Sequence, residues 1–299
     1  MMAAFKLQIA IPIIKKPMRK LFLFACLFSV LHTSAQTLRL NFMAGLSNYY
    51  GEIQKKKLTF DQSNPVIALG ATLDLTNKLL LRSDFSLTKL QGDDKRGRFP
   101  YRNLNFKTSI REATLLLEYN LFNLNEKKIT PYVFSGVGLF NFNSYTTDSL
   151  NRNVYLRGLS TEGQGFPEYP DRKLKKSTQI NLPIGGGLKY AISDDVQFGF
   201  EYGLRVLFTD YLDDISKNFI DPTILRNRAG QLAVDLSYRA DELKNEPQTY
   251  PTAGSLRGSP RINDLYYYGL ARLSIRMNWF ENGMSTGRKS RLGCPSRVL

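Results

Sequence analysis

The sequence predicts an all-β fold, an eight-stranded antiparallel transmembrane β-barrel of the outer-membrane type. Three observations support this: segments with apolar residues at every second position, alternating short and long connections, and a secretory signal at the start. In Val196–Phe208, seven apolar or aromatic residues alternate with a face of mainly glycine, amide and charged residues. A period of two turns successive side chains to opposite faces of a strand. Since no amphipathic helix is predicted to cover these apolar faces, we expect them to contact lipid and the polar faces to line the lumen.

Residues 1–35 are predicted to be a signal peptide, with the barrel at 36–280 and a basic tail at 281–299. A basic region ends at Lys20, the apolar stretch Leu21–Leu31 follows, and Thr33–Ala35 supplies small residues for cleavage. Residues 1–17 precede Met18, and we interpret them as an extension upstream of the natural start.

A lipid anchor on Cys26 is the alternative interpretation of this segment. It is disfavoured because Phe24 fits a lipoprotein signal poorly, and because cleavage there would halve the apolar stretch. Cleavage after Ala35 removes the only histidine and leaves Cys294 as the one cysteine, so no intramolecular disulfide can form. Catalytic arrangements that need histidine are thereby excluded, and a zinc site is disfavoured.

The formal charge of the chain is +15, and removing residues 1–35 takes away five basic residues and no acidic one, which leaves +10. After a signal peptide, such a charge favours contact with acidic lipid headgroups over nucleic acid. An ordinary solvated surface explains it equally well. Outer-membrane lipid is therefore an expected partner, and nucleic acid is not.

Eight strands are expected at residues 37–51, 65–75, 79–90, 106–122, 129–145, 179–192, 196–208 and 263–280. The first is apolar at even positions from 38 to 46, and the next three mostly at odd positions. The fifth is apolar on both faces, so its orientation stays open. The sixth and seventh are apolar at even positions, and the eighth mostly at odd positions up to Trp279–Phe280.

The connections between these strands alternate in length. Short turns at 76–78, 123–128 and 193–195 lie between long loops at 52–64, 91–105, 146–178 and 209–262. This asymmetry is typical of bacterial outer-membrane barrels, in which the turns are periplasmic and the loops extracellular. One alternative is a ten-stranded barrel with an extra hairpin inside 209–262. The other is a soluble lipocalin-like barrel with an apolar interior.

Six motifs carry a resemblance to a known family: Asn48–Glu52, Leu117–Leu121, Pro131–Phe134, Thr161–Gly165, Pro183–Tyr190 and Thr209–Ser216. Together they resemble a Bacteroidetes-type family of small outer-membrane β-barrels of largely unknown function. One branch of that family is similar to the barrel component of the type IX secretion system. The resemblance implies the barrel fold and an outer-membrane location for about residues 37–280, while membership of a family does not fix a role.

Charged residues on the predicted inner faces are the first candidate site: Arg39, Arg82, Asp84, Glu112, Glu118, Lys189, Glu201, Arg205, Arg272 and Arg276. An eight-stranded barrel is just wide enough for side chains to fill. Because an unpaired buried charge is costly, we expect these groups to pair, with arginine forks on carboxylates. A salt-bridged plug is the favoured interpretation, and a narrow polar channel is the alternative.

Two loop segments are the second candidate site. The glycine-rich segment Thr161–Gly165 lacks the Lys-Ser/Thr of a phosphate loop, and with Thr209–Ser216 it is expected to fold over the barrel mouth. Function concentrates on loops held by a rigid scaffold. The candidate partner contacts are therefore Thr161, Glu162, Gly163, Gln164, Gly165, Asp210, Tyr211, Asp213 and Asp214.

The predicted function is a non-enzymatic barrel that anchors or docks periplasmic or outer-membrane proteins, within a protein secretion machine according to the resemblance. The basic tail, with Arg288, Lys289, Arg291 and Arg297, could reach a periplasmic partner, while Lys55–Lys57 is expected to be solvated. No catalytic residue, cofactor, metal or small-molecule substrate is predicted, since the loop acids lack the EF-hand pattern. A small-solute channel and a lipid-modifying membrane enzyme are the alternatives.

Overall fold

The computed structural model describes residues 37–54, 61–97, 99–174, 176–246, 249–258 and 263–277. Several predictions lie outside these residues and are not tested by the fold. They are the signal peptide at 1–35, Lys55–Lys57, the strand end Trp279–Phe280, and the basic tail at 281–299 with Cys294.

Eight long antiparallel strands close into a barrel, which confirms the predicted fold. The strands are β1 (Leu38–Tyr50), β2 (Asn64–Asp74), β3 (Leu79–Asp93), β4 (Asn105–Asn120), β5 (Ile129–Thr147), β7 (Thr178–Ala191), β8 (Val196–Leu207) and β9 (Leu265–Arg276). Each pairs with the next, and β9 pairs with β1 to close the sheet. A three-residue strand, β6 (Asn153–Tyr155), extends the sheet beside the end of β5.

The strand bounds differ from the predicted ones by a few residues, and the short turns all lie at one end of the barrel. We call this the turn end and the opposite one the loop end. The alternative with an extra hairpin inside 209–262 is wrong for the described residues. That segment instead contains two short helices, α1 (Pro222–Ala229) and α2 (Gln231–Ser237).

Local sequence signals explain where α1 begins and ends. The Asp221 carboxylate accepts a hydrogen bond from the Thr223 backbone N–H at 2.7 Å, and Pro222 occupies the first helical position, where it is favoured. Gly230, at φ +87°, ends the helix in a conformation that favours glycine. None of the helices in the described residues is long and apolar enough to cross a membrane.

The outer face of the barrel is an apolar belt. Ile67, Leu69 and Phe200 are 59%, 60% and 62% exposed, although side chains of this kind are normally buried in water-soluble folds. The inner face of the same strands is largely polar and buried. This distribution is the reverse of a lipocalin-like barrel, so that alternative is wrong, and it matches a barrel surrounded by lipid.

Strand β5, whose orientation the sequence left open, turns its even-numbered residues inward. Its inner face carries Tyr132 and Phe134, both nearly fully buried. Glycines on the neighbouring strands make room for these rings, since a Cβ atom on Gly185 would lie 2.5 Å from Phe134 Cζ. At Gly187, directly opposite Tyr132, a Cβ would lie 2.8 Å from Tyr132 Oη.

We expect Gly187→Val to destabilise the barrel by about 1–3 kcal/mol, because the added methyl groups overpack the lumen against the Tyr132 ring. Thermal unfolding in detergent, followed by gel mobility of the folded barrel, measures the effect. Gly269→Val is the matched control, since nothing lies within 4 Å of a Cβ placed on the outward-facing Gly269. Equal losses in the two variants would contradict this account of the inner face.

Candidate functional site

A buried charge network fills the middle of the lumen around Arg82, whose side chain is fully buried. Arg82 Nη1 donates to Glu118 Oε2 at 3.0 Å and to Glu201 Oε2 at 2.7 Å, and Arg82 Nη2 donates to Glu201 Oε1 at 3.2 Å. Its Nε lies 2.8 Å from Asp84 Oδ2. One guanidinium on β3 therefore neutralises carboxylates from β3, β4 and β8.

Two further cations complete this network. Arg272 Nη1 donates to Glu118 Oε2 at 2.8 Å, and Lys189 Nζ donates to Glu118 Oε1 and, at 2.9 Å, to Asn120 Oδ1. Glu118 thus faces three cations from three strands. Because these side chains are almost inaccessible to water, the middle of the lumen is filled.

A second group lies nearer the loop end and centres on Glu112. This carboxylate accepts hydrogen bonds from Asn181 Nδ2 at 2.6 Å and Tyr266 Oη at 3.0 Å, and it lies 3.4 Å from Arg205 Nε. The Arg205 guanidinium also stacks 3.9 Å from the centre of the Tyr268 ring. Cation–π contact and charge pairing together hold this arginine in place.

The last two predicted lumen residues lie at the turn end. Arg39 Nε is 3.6 Å from Asp74 Oδ2, and Arg39 Nη1 donates to the Asp194 carbonyl at 3.3 Å. Arg276 is half-buried and directly opposite Arg39 in the β1–β9 pairing. The structure therefore brings eight of the ten predicted lumen charges into the two central groups and places these two at the rim; their role as a plug or a channel stays a prediction.

The loop-end half of the lumen is an apolar plug, a feature that the sequence analysis missed. Phe140 and Phe142 from β5 stack with ring centres 5.5 Å apart, and Tyr49 meets Phe106 edge to face at 4.8 Å. Loop residues such as Leu212 insert into the same cluster and are fully buried. The inward aromatic residues at alternate positions of the fifth strand were the available signal.

The long loops fold together above this plug into what we call the loop cap, the described residues within 94–104, 148–174 and 208–258. Glu162, fully buried, holds two of these segments together. It accepts backbone N–H bonds from Ser216 at 3.0 Å and Lys217 at 2.9 Å, and its Oε1 accepts from Arg257 Nη1 at 3.0 Å. Thr161 Oγ1 donates to Asp214 Oδ2 beside it, at 2.5 Å.

Most of the predicted loop contacts are therefore buried within the cap, which lies over the barrel mouth as expected. The buried members are Thr161, Glu162, Gly163, Gln164, Asp210, Asp213 and Asp214, while Tyr211 is half-buried and Gly165 exposed. Glycine-rich and acidic loops read as accessible surface in a sequence, but here they pack against each other. Their contact with a partner stays a prediction. Arg257 donates hydrogen bonds to Glu162 and to the Asp214 carbonyl, and no local sequence pattern predicts this role.

Beneath the cap, one tyrosine hydroxyl lies between two aspartates. Tyr49 Oη is 2.6 Å from Asp213 Oδ2 and 2.7 Å from Asp264 Oδ1. A phenol has one proton to donate. It can bond both carboxyl groups only if one of them is protonated and donates to the phenol oxygen. The geometry therefore indicates that one of these two aspartates, at the base of the cap, is protonated.

The acids of this region hold their protons to unusually high pH. Burial raises the pKa of Asp264 to about 7, and burial together with the charge of Asp264 raises the pKa of Asp213 well above its usual range. Burial likewise raises the pKa of Asp210 to about 8 and that of Asp214 to about 7. An unfolded aspartate titrates near pH 4, so the folded cap binds more protons than the unfolded cap between about pH 4 and 8.

We expect the loop cap to lose stability as pH rises through this window. Hydrogen exchange of the 209–216 amides, corrected for intrinsic rate, is expected to show less protection at pH 8 than at pH 5. Asp264→Asn mimics the protonated acid, since its amide can donate to Tyr49 and its carbonyl can accept from Leu212 N–H, as Asp264 Oδ2 does now at 2.9 Å. This variant is expected to show a weaker pH dependence, and an unchanged dependence would contradict the shared proton.

The acidic residues of the loops are the groups that could ligate a metal ion. Among the described residues, no group of three or more histidine, cysteine, aspartate or glutamate side chains has the geometry to hold a metal ion. Asp94, in the loop after β3, is paired with Arg102, whose Nη2 donates to Asp94 Oδ1 at 2.8 Å. This acid therefore joins two parts of the loop between β3 and β4.

Comparison with known proteins identifies a family that matches most of the chain. A family profile described as "Domain of unknown function (DUF6089)" matches residues 18–232. No curated protein sequence matches the chain.

Solved structures of small barrels resemble it at low identity. Neisserial surface protein A is 8% identical at a TM-score of 0.40, with 80% of this chain and 97% of that chain covered. Ail of Yersinia pestis, bound to the heparin analogue sucrose octasulfate, is 8% identical at a TM-score of 0.39, with 81% and 99% covered. OprG of Pseudomonas aeruginosa is 9% identical at a TM-score of 0.38, with 82% and 97% covered. At such identities no ligand or activity carries over, and the barrel rests on its own strand pairing.

Proposed function

Because the chain belongs to the DUF6089 family, which is described only as a domain of unknown function, we propose its role from the geometry of its own site. The proposal is a closed outer-membrane barrel that anchors the loop cap as a docking platform for another protein. The loop end then faces the cell exterior, as long loops do in outer-membrane barrels.

A recess in the loop cap is the observation that carries this proposal. It encloses about 740 Å³ and is walled by the rings of Phe99, Tyr101, Phe219 and Tyr238 together with Leu256. Leu256 and Tyr101 are 74% and 49% exposed, outside the apolar belt. Exposed apolar walls with a charged rim, here including Arg102 and Glu246, are typical of protein-binding surfaces.

The filled lumen supports an anchor over the alternatives. With Arg82 and Glu118 fully buried, water has no access to the middle of the barrel, so a solute channel gains no support. A lipid-modifying enzyme is the other alternative, and lipid-modifying activity that is lost on changing a lumen or rim carboxylate would support it. That the partner belongs to a protein secretion machine is the finer form of the proposal, and it rests on the sequence resemblance.

Site-specific cross-linking tests the docking role. A benzophenone-bearing residue replaces Leu256 in the cap or, as control, Phe200, which is 62% exposed in the lipid-facing belt. We expect one protein adduct from position 256 in intact cells and none from position 200. The same adducts from both positions, or none from position 256, would refute the platform. Planar-bilayer recordings of the purified protein are expected to show no discrete conductance.

A further inference from the structure

Three cations share the outer wall of the barrel just beyond the apolar belt. They are Lys89 on β3 and Lys107 and Arg111 on β4, all exposed. In the β3–β4 pairing, Lys89 lies opposite Ser109, which sits between Lys107 and Arg111 along β4. Diagonal neighbours of this kind have Cα atoms about 7–8 Å apart, so both β4 cations are close to Lys89.

The position of these cations along the barrel coincides with the edge of the belt. Arg111 pairs directly with Leu87, and Leu87 pairs with Ile67, both exposed apolar residues. Toward the loop end, the outward residues become Asn141 and Asn143 on β5 and the two lysines. This is the height at which lipid headgroups begin, and long basic side chains reach readily into that zone.

Within the described residues none of the three cations enters a salt bridge. Like charges placed this close repel one another in the absence of an anion. Asp93, four residues further along β3, caps a turn, because its Oδ1 accepts a hydrogen bond from Lys95 N–H at 2.9 Å. The wall thus carries a net positive charge, because three cations stand beside the single carboxylate of Asp93.

A polar cavity of about 410 Å³ adjoins this wall at the loop end, with Lys107 as a shared residue. Gln62 lines it and is 2% exposed. The Gln62 Oε1 accepts from Asp93 N–H at 3.1 Å, whereas its Nε2 is buried without a hydrogen-bond partner in the described part of the chain. A buried donor without a partner is costly, so it indicates an acceptor that is supplied from outside the chain.

The other cations of the cavity, Arg96 and Arg239, are already paired, whereas Asp93 enters no salt bridge within the described residues. Asp148 accepts from Arg152 Nε at 2.8 Å, and Arg239 Nε donates to Glu242 Oε1 at 2.8 Å. Lys107 is therefore the cation left to meet a ligand, next to amide groups such as Asn105 and Gln62. Amides suit sugar hydroxyls, and the cation triad suits phosphate.

We propose that the wall and the cavity bind the phosphorylated sugar headgroup of an outer-leaflet glycolipid. The phosphate lies on Lys89, Lys107 and Arg111, the sugar enters the cavity at Gln62, and the acyl chains continue along the apolar belt. The inference uses the membrane orientation of the proposed function but neither the recess nor a protein partner, so the two fail independently.

Native mass spectrometry of the full chain in phosphatidylcholine nanodiscs tests this site. The probes are a bisphosphorylated disaccharide lipid, the same lipid without phosphates, and phosphatidylglycerol. We expect the phosphorylated glycolipid to bind most tightly, and Lys89→Gln/Lys107→Gln/Arg111→Gln to weaken it roughly a hundredfold. Lys78→Gln/Lys127→Gln/Lys128→Gln, which removes three exposed cations at the turn end, is expected to leave binding unchanged.

A second variant separates the contribution of the sugar to binding from that of the phosphate. Gln62→Leu is expected to weaken the phosphorylated glycolipid and to leave phosphatidylglycerol unaffected, with unchanged gel mobility as evidence of folding. Equal binding of the phosphorylated glycolipid and phosphatidylglycerol would show that the wall attracts anionic lipids without specificity, and it would overturn the proposal. Unchanged binding in the triple variant would overturn it, and so would displacement of the glycolipid by millimolar inorganic phosphate.

Discussion

Arg82→Met is expected to lower the free energy of unfolding of the barrel by about 3–5 kcal/mol. The buried carboxylates of Asp84, Glu118 and Glu201 lose the cation that they share. Methionine keeps much of the volume, so the loss reports charge and not a cavity. Urea unfolding in lipid vesicles, read from gel mobility, measures it. Arg96→Gln is the control: its ion pair with Asp61 is 3.8 Å long and about half exposed on both sides, and such pairs contribute about 0–1 kcal/mol.

A second substitution sharpens the Arg82 experiment. Glu201→Gln removes the charge of one carboxylate that loses its Arg82 partner in Arg82→Met. Its amide oxygen can still accept from Tyr132 Oη, which now lies 2.8 Å from Glu201. The double variant is therefore expected to lose less free energy of unfolding than the two single variants lose when their losses are added. Strict additivity would show that Arg82 and Glu201 are not coupled across the lumen.

Glu162→Ala is expected to open the loop cap while leaving the barrel folded. The carboxylate accepts two backbone N–H bonds and one arginine bond, and each charge-assisted bond contributes about 1.5–3 kcal/mol. Removing all three lowers the free energy of local opening by at least about 3 kcal/mol, which raises protease cleavage within 209–258 about a hundredfold if cleavage follows the open population.

The control for this cap prediction comes from the same loop. Glu168 binds Arg228 at 2.7 Å, but the two side chains are 34% and 47% exposed, so Glu168→Gln is expected to leave cleavage nearly unchanged. Glu162→Gln retains an acceptor without the charge, and an intermediate effect is expected. Equal cleavage in Glu162→Ala and Glu168→Gln would mean that the cap is held elsewhere.

The sequence was sufficient for the barrel because alternation is a local property of each strand. Strand β5 was the exception, since Phe140 and Phe142 make its inner face apolar where the plug requires it. The helix α1 was missed because it has only eight residues, although Asp221-Pro222 and Gly230 mark both of its ends. No local pattern could have joined Glu162 to Arg257, which lie 95 positions apart.

The cross-lumen bonds of Arg82 also bear on how the barrel enters its membrane. Its partners Glu118 and Glu201 lie on β4 and β8, and Lys189 and Arg272 reach the same centre from β7 and β9. A sheet containing only the first four long strands would expose Arg82 and Glu118 to the hydrocarbon of the bilayer. Their ion-pair partners Glu201, Lys189 and Arg272 would still be absent. Insertion of such an intermediate is costly, so biogenesis of this chain requires that most strands assemble before or during their transfer into lipid.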